Sequence, residues 1–492
     1  MKMLERSIDI TSNRAEKWLY RLLALAGMVG IVVSLAMGNF ILFAIIFALP
    51  LSIITIMQIL RKPSLLLYII FIVNYFILAI TRYLPNASGI SVIMDSLLAG
   101  EMIVLFINSS LTDEYSWKAT VNSLTVGSLV WMLYCLVEIV NPTGMISAWA
   151  LSRSLVFNGF FVALITTMVV RNFRQITIIL DIYAILTIIA VAKAFMQKFM
   201  GFDSAEQKWL DEGGALTHII GSGIRYFSIF TDAGNFGSNM GCAAIVFMVA
   251  VSSCKNTMKK ISYVIIAGLA IYAMFMSGTR GAMIVPLGGM VMMIIIAKNY
   301  KVIAIGGTAL AALYVFFAFT YIGNGNAMIA RMRTAFHPEE DASYNVRKQN
   351  QEKLAAYLKN KPMGEGLGLS GVENQKTSMR FTTQIPTDSW YVKLWVETGA
   401  VGLTIYLAMF LIAIINAAYI LMFKVNNKRV KSALSAMLCG VFGMLLSAYG
   451  NGFFGQFPTM IIVYTFLASA MNGQKIDESF EPDESADELK TK

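Results

Sequence analysis

The chain of 492 residues is 57% hydrophobic and 14% charged, with a mean hydropathy of +0.65, a balance that excludes a water-soluble globule and leaves a polytopic membrane protein. Its net charge of +10 is carried mostly by short loops between apolar runs, so it speaks of membrane orientation and gives no reason to expect nucleic acid. Cys135, Cys242, Cys254 and Cys439 are scattered without paired spacing and there are 2 histidines, so neither a disulfide framework nor a metal centre is indicated and no cofactor is expected.

Residues 1–18 resemble the charged start of a signal peptide. A second apolar run follows the first after a two-residue turn, however, so cleavage is not expected and the segment reads as cytoplasmic. Apolar runs near the roughly 20 residues that cross a hydrocarbon core then predict spans at 19–37, 40–60, 64–82, 90–109, 119–140, 153–170 and 175–195. A second set follows at 235–253, 261–279, 281–297, 302–322, 390–422, 432–449 and 456–472, the span from 390 being long enough to begin as an interfacial segment. The expected fold is an all-α polytopic membrane protein of about 14 transmembrane helices. Its parts are a bundle over 19–322 with an outer loop at 197–233, a large loop at 323–390 with short amphipathic helices, C-terminal helices over 391–472, and an acidic tail at 473–492 expected to be disordered.

Alternate short loops carry Arg61 and Lys62, Lys118, Arg171 and Arg174, Lys255 to Lys260, Lys298 and Lys301, then Lys424 to Lys431. That side is expected to be cytoplasmic. The turn Gly38-Asn39 and the loop Gly450 to Gln456 carry neither Lys nor Arg and share the opposite side with both long loops. Both termini are therefore expected inside.

Three clusters lie where spans meet the long loops. The first runs from Arg225 to Asn235, with Asp232 between them. Its arginine suits phosphate oxygens and its helix start supplies amide donors, while a snorkelling arginine beside a capping residue is the plain alternative. The second, Ser277-Gly278-Thr279-Arg280-Gly281, breaks two apolar runs and sets an arginine near hydrocarbon depth, where only an anion or water makes it tolerable; a tight turn is the alternative. The third is the polar island Asn324 to Glu397. It holds Arg331, Arg333 and Arg347, an amphipathic pattern from Tyr344 to Lys361 suited to lying on a bilayer, the turn Gly364-Glu365-Gly366-Leu367-Gly368, and Asp388-Ser389-Trp390-Tyr391. Gly364, Gly366 and Gly368 suit an anion-binding nest or a flexible turn; Asp388 suits a general base or a helix cap. His337 with Glu339, Glu340 and Asp341 reads as a solvated run. Asp95, Glu101, Asp181 and Lys193 are candidates for buried relay groups or local pairs, and Gly237 and Gly241 fit close helix packing.

The order of these motifs, from Arg225–Asn235 through Ser277–Gly281 and Pro362–Gly368 to Asp388–Gly399, resembles the O-antigen ligase and polymerase superfamily, mainly over residues 220–470. The resemblance implies a membrane glycosyltransferase of the bacterial inner membrane whose site faces the periplasm. Its donor would be a glycan on undecaprenyl pyrophosphate, without nucleotide sugar or a required metal. It further implies that Arg280 and Arg225 grip the pyrophosphate, and that Asp388 stands where ligases place a histidine and acts as the base of an inverting displacement. Arg331, Arg333, Arg347, Gly364, Gly366, Gly368, Tyr391 and Asn235 complete the expected substrate site. The expected activity is that of a Wzy-type polysaccharide polymerase, with a chain-length regulator and a flippase as candidate partners. A ligase acting on lipid A core is the alternative, followed by protein O-oligosaccharyl transfer and a lipid-linked glycan flippase.

Overall fold

The computed structural model describes residues 18–19, 21–22, 24–30, 33, 52–84, 89–112, 114–221, 223–337 and 342–480. The expected spans 19–37 and 40–60 lie largely outside these, as do Glu339, Glu340, Asp341 and the tail from Glu481. Two compact units divide after Leu66; the described part of the first includes the short apolar helix Ser52–Arg61.

In chain order the main helices are α1 Ser64–Tyr83, α2 Ser91–Leu111, α3 Ser123–Val137, α4 Arg153–Val169, α5 Phe173–Phe199, α6 Ala233–Ala250 and α7 Thr257–Met276. They continue with α8 Ile284–Ala297, α9 Tyr300–Phe319, α10 Ala327–Arg333, α11 Ala342–Leu358, α12 Trp390–Phe423, α13 Lys428–Ser447 and α14 Thr459–Met471. Between α5 and α6, β1 Ile219–Ile220 pairs antiparallel with β2 Gly223–Ile224. Counted with the short turns that continue them, 11 helices among the described residues are long and apolar enough to cross a membrane. The protein is thus a mostly helical, polytopic membrane protein. At 13 residues the last expected span is shorter than a full crossing, since a helix rises about 1.5 Å per residue.

Side chains fix where these helices begin. Asn122, Asn172, Asn256, Asn299 and Asn427 each accept a bond from an amide in the first turn of the helix that follows, meeting donors that have no intrahelical partner. The loops around Lys118, Arg171, Lys255 and Arg429 gather at one end. There Arg429 donates to the Ser253 carbonyl (3.0 Å), Lys475 to Ala119 (2.6 Å) and Ser479 to Arg171 (3.0 Å).

α6 and α13 form the centre, with 83% and 78% of their apolar windows buried, against 6% for the peripheral α9. Glycine permits this approach, because a Cβ at Gly241 would lie 3.0 Å from the Ala282 carbonyl, and one at Gly289 2.9 Å from that of Cys439. With so little hydrophobic drive between helices in lipid, close backbone packing is what holds them together. Three of the four charges expected inside spans pair locally: Asp95 with Arg153 (2.6 Å), Asp181 with Lys259 (2.6 Å), and Lys193 with Asp203 (2.8 Å) and Glu206 (2.9 Å). Glu101 is buried on α2.

Candidate functional site

The polar break between α7 and α8 organises the opposite end of the bundle. Gly278 takes a φ of +57°, turning the carbonyls of Ser277 and Gly278 toward two arginines. Arg225 donates to Ser277 O (3.3 Å), Thr217 O (2.9 Å) and Thr279 Oγ1 (3.0 Å). Arg331, on α10, donates to Gly278 O (2.6 Å). Arg280 donates to Thr334 Oγ1 (3.0 Å). Burial, reinforced by the nearby cations Arg280 and Arg347 and opposed by Asp232, holds the Arg225 guanidinium below its ordinary range.

Two cavities open beside this turn. The smaller, of about 450 Å³, is lined by the cations Arg280, Arg347 and Lys348 and by the apolar side chains Ile284, Leu354 and Val392. The larger, of about 590 Å³, is lined by Arg225, His218, Asp232, Glu373, Lys393, Glu397, Asn451 and Gln456, with Trp390 and Phe453 among them. Arg347 and Asp388 line both, and they form an ion pair from Nε to Oδ2 at 3.2 Å. Asp388 does not cap α12: Ser389 does, accepting from the Val392 amide.

α11 carries Arg347 and Lys348 to this place. Its Leu354 and Leu358 are buried with Ile385 and Val396, and its Tyr357 packs against them. The apolar side chains of its C-terminal half are therefore spent on packing against the start of α12.

Several expected residues stand elsewhere. Gly364, Gly366 and Gly368 do have positive φ values of 78°, 112° and 74°, but they line neither cavity. The amides of Glu365 and Gly366 donate to Val396 O (2.8 Å) and Glu397 O (3.0 Å), and a Cβ at Gly366 would meet Gly144 Cα at 2.8 Å. Gly364 and Gly366 serve backbone docking, and the Gly368 amide donates to the Glu397 carboxylate. Glu365 is buried between Lys361 (2.6 Å) and Arg380 (2.8 Å). Arg333 is buried and turned from the cavities, donating to Ile322 O (3.0 Å) and to Asn324 Oδ1; it ties down the chain after α9. Tyr391 lines neither cavity and donates to Leu445 O (2.6 Å), joining α12 to α13. Asn235 lies behind the larger cavity, where its Nδ2 donates to Gln456 Oε1 (3.2 Å) and Phe457 O (3.0 Å). Asp232 caps α6 through the amides of Gly234 (2.7 Å) and Asn235 (3.0 Å). His337 places Nε2 3.1 Å from Ala318 O, while its acidic neighbours lie outside the described residues.

The sequence reading missed His218. Its Nε2 accepts from the Ala233 amide (3.1 Å), so its proton is on Nδ1, 2.9 Å from Gly214 O. It packs against Trp209 and Phe227. Burial keeps it below the ordinary histidine range, with Arg225 and Arg82 acting in the same sense against Gly214 O and Asp232. Asn451 and Gln456 were also missed, because their loop was read only for its lack of Lys and Arg. Their polarity in a short turn between spans was the available signal.

Fold and site together define a membrane protein with a cationic, two-chambered recess at one end of a helical bundle. Residues 265–407 match the family model described as O-antigen ligase, which bears out the resemblance to the O-antigen ligase and polymerase superfamily. The matched stretch holds Arg280, Arg331, Arg347 and Asp388, whereas Arg225, His218 and Asn235 lie outside it. No curated protein matches the chain. The family match supports an O-antigen ligase-like or polymerase-like role and a glycosyltransferase-like enzyme.

Proposed function

We propose that the protein is a polysaccharide polymerase that moves a glycan from undecaprenyl pyrophosphate to a sugar hydroxyl at the outer face of the inner membrane. The observation that carries this reading is a pair of adjoining cavities of different chemistry that share one carboxylate. Arg280, Arg347 and Lys348 suit a pyrophosphate, and the apolar wall of Ile284, Leu354 and Val392 suits the first isoprene units of its lipid. The larger cavity, rich in carboxylate, amide and aromatic side chains, suits the hydroxyls and apolar faces of an acceptor glycan.

In the proposed reaction the acceptor oxygen attacks the anomeric carbon from the side opposite the pyrophosphate. The carbon–oxygen bond to the pyrophosphate breaks as the new glycosidic bond forms, and its electron pair leaves on undecaprenyl pyrophosphate. The hydroxyl proton passes to Asp388 and then to water. The cations offset charge that grows on the leaving group, where preorganised donors are most effective; Asp388 supplies general-base assistance. Configuration inverts at the anomeric carbon.

A ligase acting on lipid A core is the second reading, favoured by the description of the matched family. Purified protein in liposomes given one lipid-linked repeat unit should yield a ladder of longer lipid-linked chains. Single transfer only when core acceptor is added would support the ligase. Translocation of the lipid without any new glycosidic bond would overturn both.

A further inference from the structure

We propose that the Arg347–Asp388 ion pair is a gate opened by the donor's own pyrophosphate, with Arg347 as the positioning residue. This rests on the glycosyl-transfer reading above. Among the described residues Arg347 and Asp388 are the two that line both cavities, so their paired side chains form part of the wall between the two chambers. A donor in the smaller chamber and an acceptor in the larger one must meet at that wall.

The pair is built to be exchanged. Its side chains are 36% and 45% exposed, and its separation of 3.2 Å is at the long end of hydrogen-bond geometry. The other bond described for Arg347, to Gly450 O, is 3.3 Å. Ion pairs this exposed shift an equilibrium only a few-fold, whereas a pyrophosphate offers charge-assisted, bidentate partners. Arg225 and Arg333 are held by backbone carbonyls, whereas Arg347 is held chiefly by a carboxylate that an incoming anion can replace. Transfer of Arg347 to the pyrophosphate opens the wall and exposes the Asp388 oxygen at the point where the acceptor hydroxyl arrives. Base availability is thereby coupled to donor occupancy.

The test is a binding cycle on the full-length protein in nanodiscs, with undecaprenyl pyrophosphate lacking a glycan as the probe. Removing the carboxylate in Asp388→Asn frees Arg347 in advance and should tighten binding by about two- to fivefold. Arg347→Gln should weaken it, and adding Asp388→Asn to Arg347→Gln should give no further tightening. Arg347→Lys, which keeps the charge without the fork, provides a second background and should retain only part of the coupling. Equal tightening in the parental and Arg347→Gln backgrounds would reveal simple charge repulsion and overturn the gate, as would no tightening in either. Coupled binding with no glycosyl transfer in liposomes would leave the gate standing and overturn the transferase reading. Failure of every variant to bind the lipid pyrophosphate would overturn both.

Discussion

At the scale of single residues, four arginines around one recess have different tasks. Arg225 is committed to Ser277, Thr217 and Thr279, and Arg331 to Gly278, whereas Arg280 and Arg347 line the cationic chamber. Arg280→Lys should lower transfer at least about tenfold with protein abundance unchanged, because an ammonium lacks the guanidinium fork; near-parental turnover would remove Arg280 from the pyrophosphate site. Asp388→Asn should lower kcat by about a hundredfold to ten-thousandfold, the usual range for general-base assistance. Since Ser389 caps the helix, its thermal stability should stay close to parental, and a large fall in melting temperature would argue for a structural Asp388. His218 gives a pH signature. Its folded-state value is lowered by burial, so below the unfolded value of about 6.5 the unfolded chain binds more protons than the folded one. Stability from this site is full above that pH and declines as pH falls toward the lowered folded value. Melting of the detergent-solubilised protein between about pH 7 and pH 5 should record this decline, and His218→Gln should flatten it; an unchanged slope would assign the effect to other groups.

At the scale of elements, the decisive feature is the break in α12. Gly399 has φ +66° and ψ −171°, a conformation open essentially to glycine alone, and a Cβ there would fall on the Pro362 carbonyl. The break lets the 362–368 turn dock on the first part of α12, which carries Trp390, Lys393 and Glu397 to the larger cavity. Gly399→Ala should therefore cost about 3 kcal/mol or more, combining backbone strain with a clash. Gly268→Ala makes the control, since a Cβ at that position on α7 meets nothing within 4 Å and alanine favours the helix. Equal melting temperatures for the two variants would show that the break is tolerant. Hydropathy marks α12 as one long apolar run, and only its length hinted at a division. The break itself was invisible because Thr398-Gly399-Ala400 is an ordinary sequence inside a span; its meaning depends on Pro362, far away in the chain.

At the scale of the molecule, the loops around Lys118, Arg171, Lys255 and Arg429 lie at one end of the helices and the cavities at the other. With the charged end in the cytoplasm, Lys376→Cys should react with an impermeant thiol reagent in intact spheroplasts and Asn426→Cys should not. Both positions are exposed, and the four native cysteines are buried, so the background should be low. The reverse labelling pattern would invert the proposed orientation.

The sequence by itself determined the membrane class, the run of apolar helices, their approximate limits and the end at which polar chemistry gathers. Each is written locally, in hydropathy over about 20 residues, in capping side chains and in loop charge. It also singled out Arg280, Arg347 and Asp388. Only the tertiary structure decided which candidates share a chamber. It placed Arg347 against Asp388, 41 residues on, turned Arg333 and Tyr391 toward backbone carbonyls, spent the glycine turn on packing, and brought in His218 from one loop and Asn451 with Gln456 from another. No local pattern encodes these meetings, because a side chain's partner across the bundle is set by helix packing and by the backbone breaks at Gly278 and Gly399, which act at a distance from the residues they bring together.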